Sequence, residues 1–350
     1  MANPLAYAAL DDALDRLAGC GSELTTGNFN HAPMVAEALC ALGRPEAVLP
    51  WLDNYSSRLQ PRSAIAGDPI PADRWQAALG QRERFAAWAR FFEEELDDAP
   101  WQDVLALWAA RLAPGLSGAA THGVIRAGHA VRGLSVGETP QRRRELADAL
   151  ASWAASYAEL PAAAAAGGLP PREAIAQVAV VPPERRRPGN LTAALARLAE
   201  FPEFAPAIEL ANLGGDVGER LAELCELFAR VSLANIRNVP TAICFIHGVT
   251  SAAALGHIAP YVGEGTARSL LRYGWQAGCG LYAARGGDTP FAAQLDSPGE
   301  PIALLVDRAV ANGDEHAIKF AEACLSRHTL APSPAYPAAL SHVLGVIAAR

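Results

Sequence analysis

Apolar residues at helical spacing, separated by helix breakers, constrain the fold of this chain more than any other feature. Leu146, Leu150, Trp153 and Tyr157 recur at intervals of three or four, which places them on one face of a helix. Comparable patterns cover 5–18, 33–42, 74–96, 101–112, 191–199, 217–232, 265–284 and 333–349. Runs of β-branched residues are few, and clusters of proline and glycine separate many of the patterns. We therefore predict an all-α fold of roughly a dozen or more helices.

The stretch 181–189, rich in proline and arginine, is the best candidate for a domain boundary. Candidate site histidines lie on both sides of it, however, so we predict one composite helical domain over 1–350. The arginine triplets at 142–144 and 185–187 stand beside prolines. We interpret both triplets as solvated charge.

Charge and composition exclude several classes of function. The net charge of -8 argues against a nucleic-acid-binding surface. No apolar run approaches the roughly 18 residues of a membrane span, and we see no targeting segment. The six cysteines contain no CxxC pair, which favours free thiols in a reducing compartment. We expect a cytoplasmic protein that binds neither nucleic acid nor membrane.

The chain contains a single lysine, Lys319, among its 29 basic residues. Such a bias is typical of a GC-rich genome that uses arginine wherever either residue serves. Lys319 therefore marks a position where arginine fails, unless this one lysine survived by chance.

Several histidines stand where chemistry is plausible. His31 precedes Pro33 at a helix start, where an imidazole faces a helix mouth or acts as a cap. His122, Arg126 and His129 have the spacing i, i+4, i+7 and share one helical face. Flanking small residues indicate that this stripe lines an interior cavity, where the arginine would bond an anionic group. The alternative is a polar network that joins helices.

Two further histidines are expected inside the protein. His247 follows a strongly apolar run, so its imidazole must hydrogen-bond or ligate, with Thr250 as a candidate partner. His316 and Lys319 follow the N-cap Asp314 and share one helical face. The alternatives are a structural core histidine and a lysine paired with surface carboxylates.

A lysine beside a metal has two ways to act as a ligand. Burial can lower its pKa and leave a neutral amine. Its amine can also take up carbon dioxide and form a carbamate, which offers carboxylate-type oxygens. Arginine is a poor candidate for either route.

Four short stretches stand out together: NHAPMVAEAL at 30–39, HGVIRAGH at 122–129, FIHGVT at 245–250 and DEHAIK at 314–319. In this order they resemble the questin oxidase-like family, whose members are associated with oxidative opening of anthraquinone rings. The resemblance implies a helical fold with an interior mononuclear iron held by four histidines and a carboxylated (carbamylated) lysine. Carried onto this chain, the implied metal ligands are His31, His122, His247, His316 and Lys319. In the fungal members a histidine stands where this chain has Arg126, and His129 has no firm counterpart, which puts the substrate in doubt more than the metal.

From this resemblance we expect a non-haem Fe(II) oxygenase that cleaves or oxygenates a small aromatic or quinone-type molecule with O2. Lys319 would be the ligand that opens a position for oxygen, while Arg126 and His129 would hold a phenolate or a reduced oxygen species. One alternative is a Baeyer–Villiger-type monooxygenase that uses NADPH as an external reductant. The chain lacks a glycine-rich dinucleotide turn in a βαβ context, so a partner reductase would then be required. The other alternative is a non-catalytic helical scaffold with structural histidines.

Overall fold

The chain folds almost entirely into helices, as predicted. The computed structural model describes residues 4–63, 68–295 and 300–349. The α-helices within these ranges are α1 (Ala8–Leu17), α2 (Ala32–Ala41), α3 (Val48–Tyr55), α4 (Phe85–Asp98), α5 (Trp101–Leu112), α6 (His122–Val136), α7 (Pro140–Ala155), α8 (Pro171–Ala176), α9 (Leu191–Ala196), α10 (Ala207–Leu210), α11 (Val217–Asn235), α12 (Val239–Ile258), α13 (Glu264–Arg285), α14 (Ile302–Asn312), α15 (Glu315–Leu330) and α16 (Ala335–Val346). Short 3-10 turns connect several of them. The predicted all-α class is confirmed.

One small antiparallel sheet interrupts the helices. Strand β1 (Cys20–Leu24) pairs with β2 (Leu59–Pro61), with Leu24 opposite Leu59. The loop after β1 folds back on it, because Asn30 donates its backbone N–H to Ser22 O at 2.8 Å. This short sheet was not predicted, since strands of three to five residues show too little alternation to be recognised. It fixes the backbone just before His31.

The predicted helical pattern over 74–96 is broken in the structure. Two 3-10 turns, Trp75–Ala78 and Arg82–Arg84, precede α4. Between them Gly80 has φ +73°, and its N–H donates to Ala154 O at 2.9 Å. An α-helix cannot pass through this left-handed backbone conformation, so α4 begins only at Phe85.

Four helices form a closed ring at the centre of the fold. α6 packs against α2 and α12, and α15 also packs against α2 and α12. α2 and α6 precede the stretch 181–189 in sequence, whereas α12 and α15 follow it. The two halves of the chain therefore share one core in a single, essentially all-α domain.

Local signals define the starts of the two C-terminal ring helices. A capping box formed by Asn238 and Thr241 begins α12, with Pro240 in its first turn. Asp314 caps α15 by accepting from the His316 N–H at 2.9 Å. Gly313, with φ +75°, separates this cap from α14.

Helix α12 and the 3-10 turn after it form the one segment of the described chain that is apolar and long enough to cross a membrane. In its most apolar window, within 239–261, 78% of the residues are buried inside the molecule. That burial is typical of a core helix of a soluble protein.

The first arginine triplet is not simply solvated, so that interpretation was wrong. Arg142 is buried, and it donates to Asp11 through Nε and Nη2 at 2.9 Å each. The same guanidinium donates to Gly137 O at 2.7 Å and to Tyr7 O at 2.9 Å. Arg142 thus ties the N-terminus of α7 to α1.

Candidate metal centre

The ring of four helices brings together four of the predicted histidines. His31 is the residue before α2, His122 opens α6, His247 lies near the middle of α12, and His316 is in the first turn of α15. All four are buried, with at most 8% of their surface exposed. We call His31, His122, His247 and His316 the histidine cluster.

The four rings surround a common point. His122 Nε2 lies 3.0 Å from His31 Nε2 and 3.3 Å from His247 Nε2. The ring centroid of His316 is 4.7 Å from that of His31 and 6.0 Å from that of His247. Residues up to 285 positions apart in the sequence, 316 minus 31, thus meet at one place.

Hydrogen bonds at Nδ1 orient three of the rings. His122 donates from Nδ1 to Ala119 O, and His247 donates from Nδ1 to Ile243 O, both at 2.5 Å. His316 Nδ1 lies 3.2 Å from Asp314 Oδ1. With the proton on Nδ1, the Nε2 lone pair is free to bind a cation, and this bonding pattern is usual for metal-binding histidines. Thr250, predicted as the partner of His247, instead donates to Ile246 O at 3.0 Å.

The electrostatics of the site favour neutral imidazoles at His31, His122 and His247. Burial lowers the pKa of His31 and of His122 well below the usual value, and it lowers the pKa of His247 to about 3. The charge of Lys319 and the neighbouring imidazoles act in the same direction. Neutral imidazole is the form that ligates metals.

Lys319 lies inside the protein on α15, the helix that also carries His316. The residue is 1% exposed. Burial lowers its pKa to about 8, while the carboxylates of Glu315 and Asp314 act in the opposite direction. Lys319 lines a small cavity of about 10 Å³ together with His129 and Glu322.

Glu315 is a neighbour of the cluster that the sequence interpretation missed. One oxygen of its buried carboxylate and one ring nitrogen each of His31 and His316 lie within 4.8 Å of one another. Arg58 donates to both oxygens of Glu315, at 3.1 and 3.3 Å. In the sequence, Glu315 could have been recognised as a site residue from its position directly before His316, at the start of α15.

The backbone that leads into His122 adopts an unusual conformation. Ala119, Ala120 and Thr121 all have positive φ, at 46°, 55° and 70°. Non-glycine residues in this region carry strain of roughly 1 kcal/mol or more each. Because Ala119 O accepts the Nδ1 proton of His122, this left-handed turn sets the direction of the imidazole. Strain is thus stored at the cluster.

A cavity of about 430 Å³ opens beside the histidine cluster. His31, His122, His247 and His316 are part of its wall. Phe29 also lines it and stacks on His122, with ring centroids 4.8 Å apart and planes inclined by 29°. The remaining wall is partly apolar and partly cationic, and includes Leu24, Leu191, Val239, Ile243, Arg58, Arg82, Arg285 and Glu315. The cavity can admit a small planar molecule.

Arg126 and His129 share the buried helical face that was predicted, but neither lines this cavity. Arg126 donates through Nε and Nη2 to the two oxygens of Glu145 at 2.7 Å each, and through Nη1 to Ser152 Oγ at 3.1 Å. His129 donates from Nδ1 to Glu37 Oε2 at 2.6 Å. Both side chains take part in networks between helices, and their role toward substrate stays a prediction.

The donor set of the cluster suits a metal ion. A metal–nitrogen bond of about 2.1 Å places two ligands at a right angle about 3 Å apart, and the Nε2 separations of 3.0 and 3.3 Å agree with that spacing. Imidazole nitrogens with an additional oxygen or amine suit iron, manganese and zinc. His31 Nδ1 is buried with no hydrogen-bond partner among the described residues, so this ring is held by packing on its neighbours.

A comparison with known protein families covers the part of the chain that forms the histidine cluster. The model of the questin oxidase-like family matches residues 29–324, which contain all four cluster histidines and Lys319. No curated protein matches the chain. With most of its length covered by the family model, the chain belongs to the questin oxidase-like family.

Proposed function

We propose that this protein is a metal-dependent oxidase or oxygenase that acts on an aromatic small molecule. Family membership supports the reaction class. The observation that carries the proposal is the convergence of four buried imidazoles, with Nε2 separations of 3.0 and 3.3 Å, on the wall of a cavity of about 430 Å³. A structural core histidine needs one hydrogen-bond partner, and it does not need three other imidazoles around the same point.

The residues that would hold the metal are His31, His122, His247 and His316, with Lys319 or Glu315 as a further ligand. We favour non-haem Fe(II), because a site of nitrogen and oxygen ligands suits iron and the reaction class requires electron transfer to O2. When bound, iron would supply that redox chemistry. Lys319 would reach the metal as a neutral amine or as a carbamate, and its lowered pKa of about 8 favours both forms.

The chain's own residues would bind and orient the aromatic ring. Phe29 offers a flat surface against His122, and Val239 and Ile243 cover the same cavity with apolar atoms. Arg58 holds the Glu315 carboxylate in place. With Lys319 as the further metal ligand, Glu315 would accept a proton at an Oε atom from a phenolic hydroxyl of the substrate and leave the ring electron-rich. The apolar wall would exclude water from the ring.

We also propose that the protein is located in the cytoplasm. All six cysteines are free thiols, and five of them are buried. This state supports a reducing compartment such as the cytoplasm.

The experiment combines metal analysis with oxygen uptake. Protein purified without added chelator is expected to contain close to one iron per chain and to consume O2 with a hydroxyanthraquinone or a similar polyphenol. His247→Ala should lose both properties, whereas His328→Ala, on the same helix as His316 but bonded to Ser333 O, should keep them. A folded protein that binds no metal would instead support the scaffold alternative.

Uptake measured with and without NADPH separates the two oxidative alternatives. Uptake without NADPH is expected for the oxygenase. Uptake that depends strictly on NADPH and a reductase would favour the monooxygenase.

A further inference from the structure

A second, smaller cavity of about 70 Å³ lies next to the histidine cavity, and arginines make up half of the ten residues that line it. Five of the residues around it are arginine and one is glutamate: Arg185, Arg186, Arg187, Arg197, Arg285 and Glu200. We call this the arginine pocket. The 185–187 triplet contributes three residues to its wall. Arg185 and Arg187 are exposed, in agreement with the interpretation as solvated charge, whereas Arg186 is partly buried.

Three of these guanidiniums have no carboxylate partner in the described part of the chain. Arg186 donates to Val181 O at 2.8 Å and to Gly286 O at 2.6 Å. Arg197 donates to Arg187 O at 3.0 Å, and Arg285 donates to Gly189 O at 3.2 Å. Carbonyl oxygens orient these side chains but carry no formal charge to pair with the guanidiniums.

The other two arginines have acidic neighbours. Arg187 is paired with Glu200, and Arg185 lies 3.8 Å from Glu203. The pocket therefore keeps a net positive charge. Burial lowers the pKa of Arg186, and the charges of Arg285 and of Arg237, which lies outside the pocket lining, act in the same direction, while Glu184 acts against them. Arg186, Arg197 and Arg285 are partly buried. Like charges held together in this way are destabilising, and an anion bound between them would relieve that cost.

The arginine pocket adjoins the histidine cavity. Arg285 lines both cavities, and the backbone segment 189–192 that follows the arginine triplet lines the histidine cavity. Arg285 donates to Gly189 O in this segment. A ligand whose ring occupies the histidine cavity can therefore extend a charged group toward Arg285.

We propose that the arginine pocket binds the anionic group, a carboxylate or a phosphate, of the aromatic substrate whose ring enters the histidine cavity. The substrate class is then an aromatic acid. This inference rests on the proposed function for its ring-binding half, while the arginine pocket stands on its own geometry. Guanidinium groups recognise both oxyanions through charge-assisted hydrogen bonds.

Binding of matched probes to the intact protein tests this inference without any turnover. The probes are anthraquinone-2-carboxylate and its neutral analogue 2-(hydroxymethyl)anthraquinone, titrated by quenching of tryptophan fluorescence. We expect the acid to bind at least about tenfold more tightly than the neutral probe, since a charge-assisted contact contributes that much. The preference should shrink as salt is raised. Equal affinity for the two probes would overturn the inference.

Single substitutions test which arginines cause the preference for the acid over the neutral probe. Arg186→Gln should remove most of this preference and leave binding of the neutral probe unchanged, because Arg186 lines only the arginine pocket. Arg285→Gln should also remove most of the preference for the acid. Arg268→Gln is the matched control, because Arg268 lies on the same helix as Arg285 but pairs with Glu264 on the surface. Retained preference in both pocket variants, with their folding verified by circular dichroism, would contradict the assignment.

Competition with inorganic phosphate distinguishes a pocket that binds the charged group of an aromatic acid from one that binds a free oxyanion. Competition against the acid but not against the neutral probe is expected if the pocket holds the acid's charged group. Phosphate binding with no preference for the aromatic acid would assign the pocket to a free oxyanion and overturn the substrate link. Preference for the acid in a protein that consumes no O2 would leave the pocket in place and count against the proposed oxidase alone.

Discussion

His122 and His247 face each other through Nε2 atoms 3.3 Å apart, although each ring donates its Nδ1 proton to a backbone carbonyl of its own segment. Two nitrogen lone pairs at that distance repel unless a cation lies between them. The two rings come from α6 and α12, which pack closely along their length. Helix packing therefore holds these imidazoles in a geometry that suits metal binding.

Close approach of these two helices depends on Gly128. A Cβ at this position would lie 2.5 Å from Ala254 Cβ and 2.7 Å from Ala254 Cα. Gly128→Ala is expected to push α6 away from α12, to lower stability by roughly 1–3 kcal/mol and to weaken metal binding at least about tenfold. Denaturant unfolding and competition with a metal chelator measure the two effects.

Gly265→Ala is the control for that variant. Gly265 lies in α13 with no atom within 4 Å of the added methyl group, so the change should be neutral or stabilise the protein by up to about 1 kcal/mol. If Gly128→Ala bound the metal as tightly as the control, α6–α12 spacing would not determine the site.

The lowered pKa of Lys319 should make the stability of the metal-free protein depend on pH in a specific way. Its pKa falls from 10.5 to about 8 on folding, so between these values the unfolded chain binds more protons than the folded chain. The free energy of unfolding should then rise with pH from about 8. Lys319→Met removes this contribution, and at pH 7 the substitution should stabilise the metal-free protein by roughly 3 kcal/mol, since each pKa unit corresponds to about 1.4 kcal/mol.

The measurement is the difference between the unfolding free energies of the wild type and Lys319→Met at pH 7 to 9, in chelator and carbon-dioxide-free buffer. The comparison is needed because the buried thiols of Cys40, Cys225 and Cys244 have pKa values raised to about 12, which lowers stability as pH rises above the usual thiol range. A difference that stayed constant with pH would show that Lys319 does not titrate in this range.

The carbamate hypothesis makes a separate prediction about Lys319. Lys319→Ala should abolish oxygen uptake, and millimolar acetate or propionate should restore part of it, because a short carboxylate can take the place of the carbamate oxygens. Acetamide, which is similar in size but neutral, is the control. Equal rescue by acetamide, or full activity of Lys319→Arg, would argue for a structural lysine.

Arg126 is expected to act as a structural residue. Its bidentate pair with Glu145 is buried on both sides, so Arg126→Met should cost roughly 3–5 kcal/mol by leaving a buried carboxylate without its partner. Urea unfolding measures this loss, and KM for the aromatic substrate should stay unchanged. A large rise in KM with little loss of stability would instead support the predicted contact between Arg126 and the substrate.

The sequence was most informative where one helix carries the signal. The i, i+4, i+7 spacing correctly placed His122, Arg126 and His129 on one buried face. It could not show that Glu145 and Glu37 take up the donors of Arg126 and His129, because those partners come from other helices. The alternative of a polar network between helices describes the contacts of Arg126 and His129.

Backbone conformation was hardest to predict beside His122. Alanines at 119 and 120 favour helix, yet the structure has a left-handed turn there. The cause is tertiary: a Cβ on Gly118 would lie 1.9 Å from Ser156 O, so this segment is pressed against the end of α7. Glu315 was overlooked for a similar reason, since its contact with Arg58 joins positions 257 apart.

Anomalous X-ray scattering at the iron absorption edge, from crystals of the iron-loaded protein, shows whether the four histidines hold the metal. We expect a single strong peak within roughly 2.3 Å of the Nε2 atoms of His31, His122 and His247, with His316 as a further ligand. A crystal of the active protein with no peak among these four histidines, or with a peak elsewhere, would contradict this expectation.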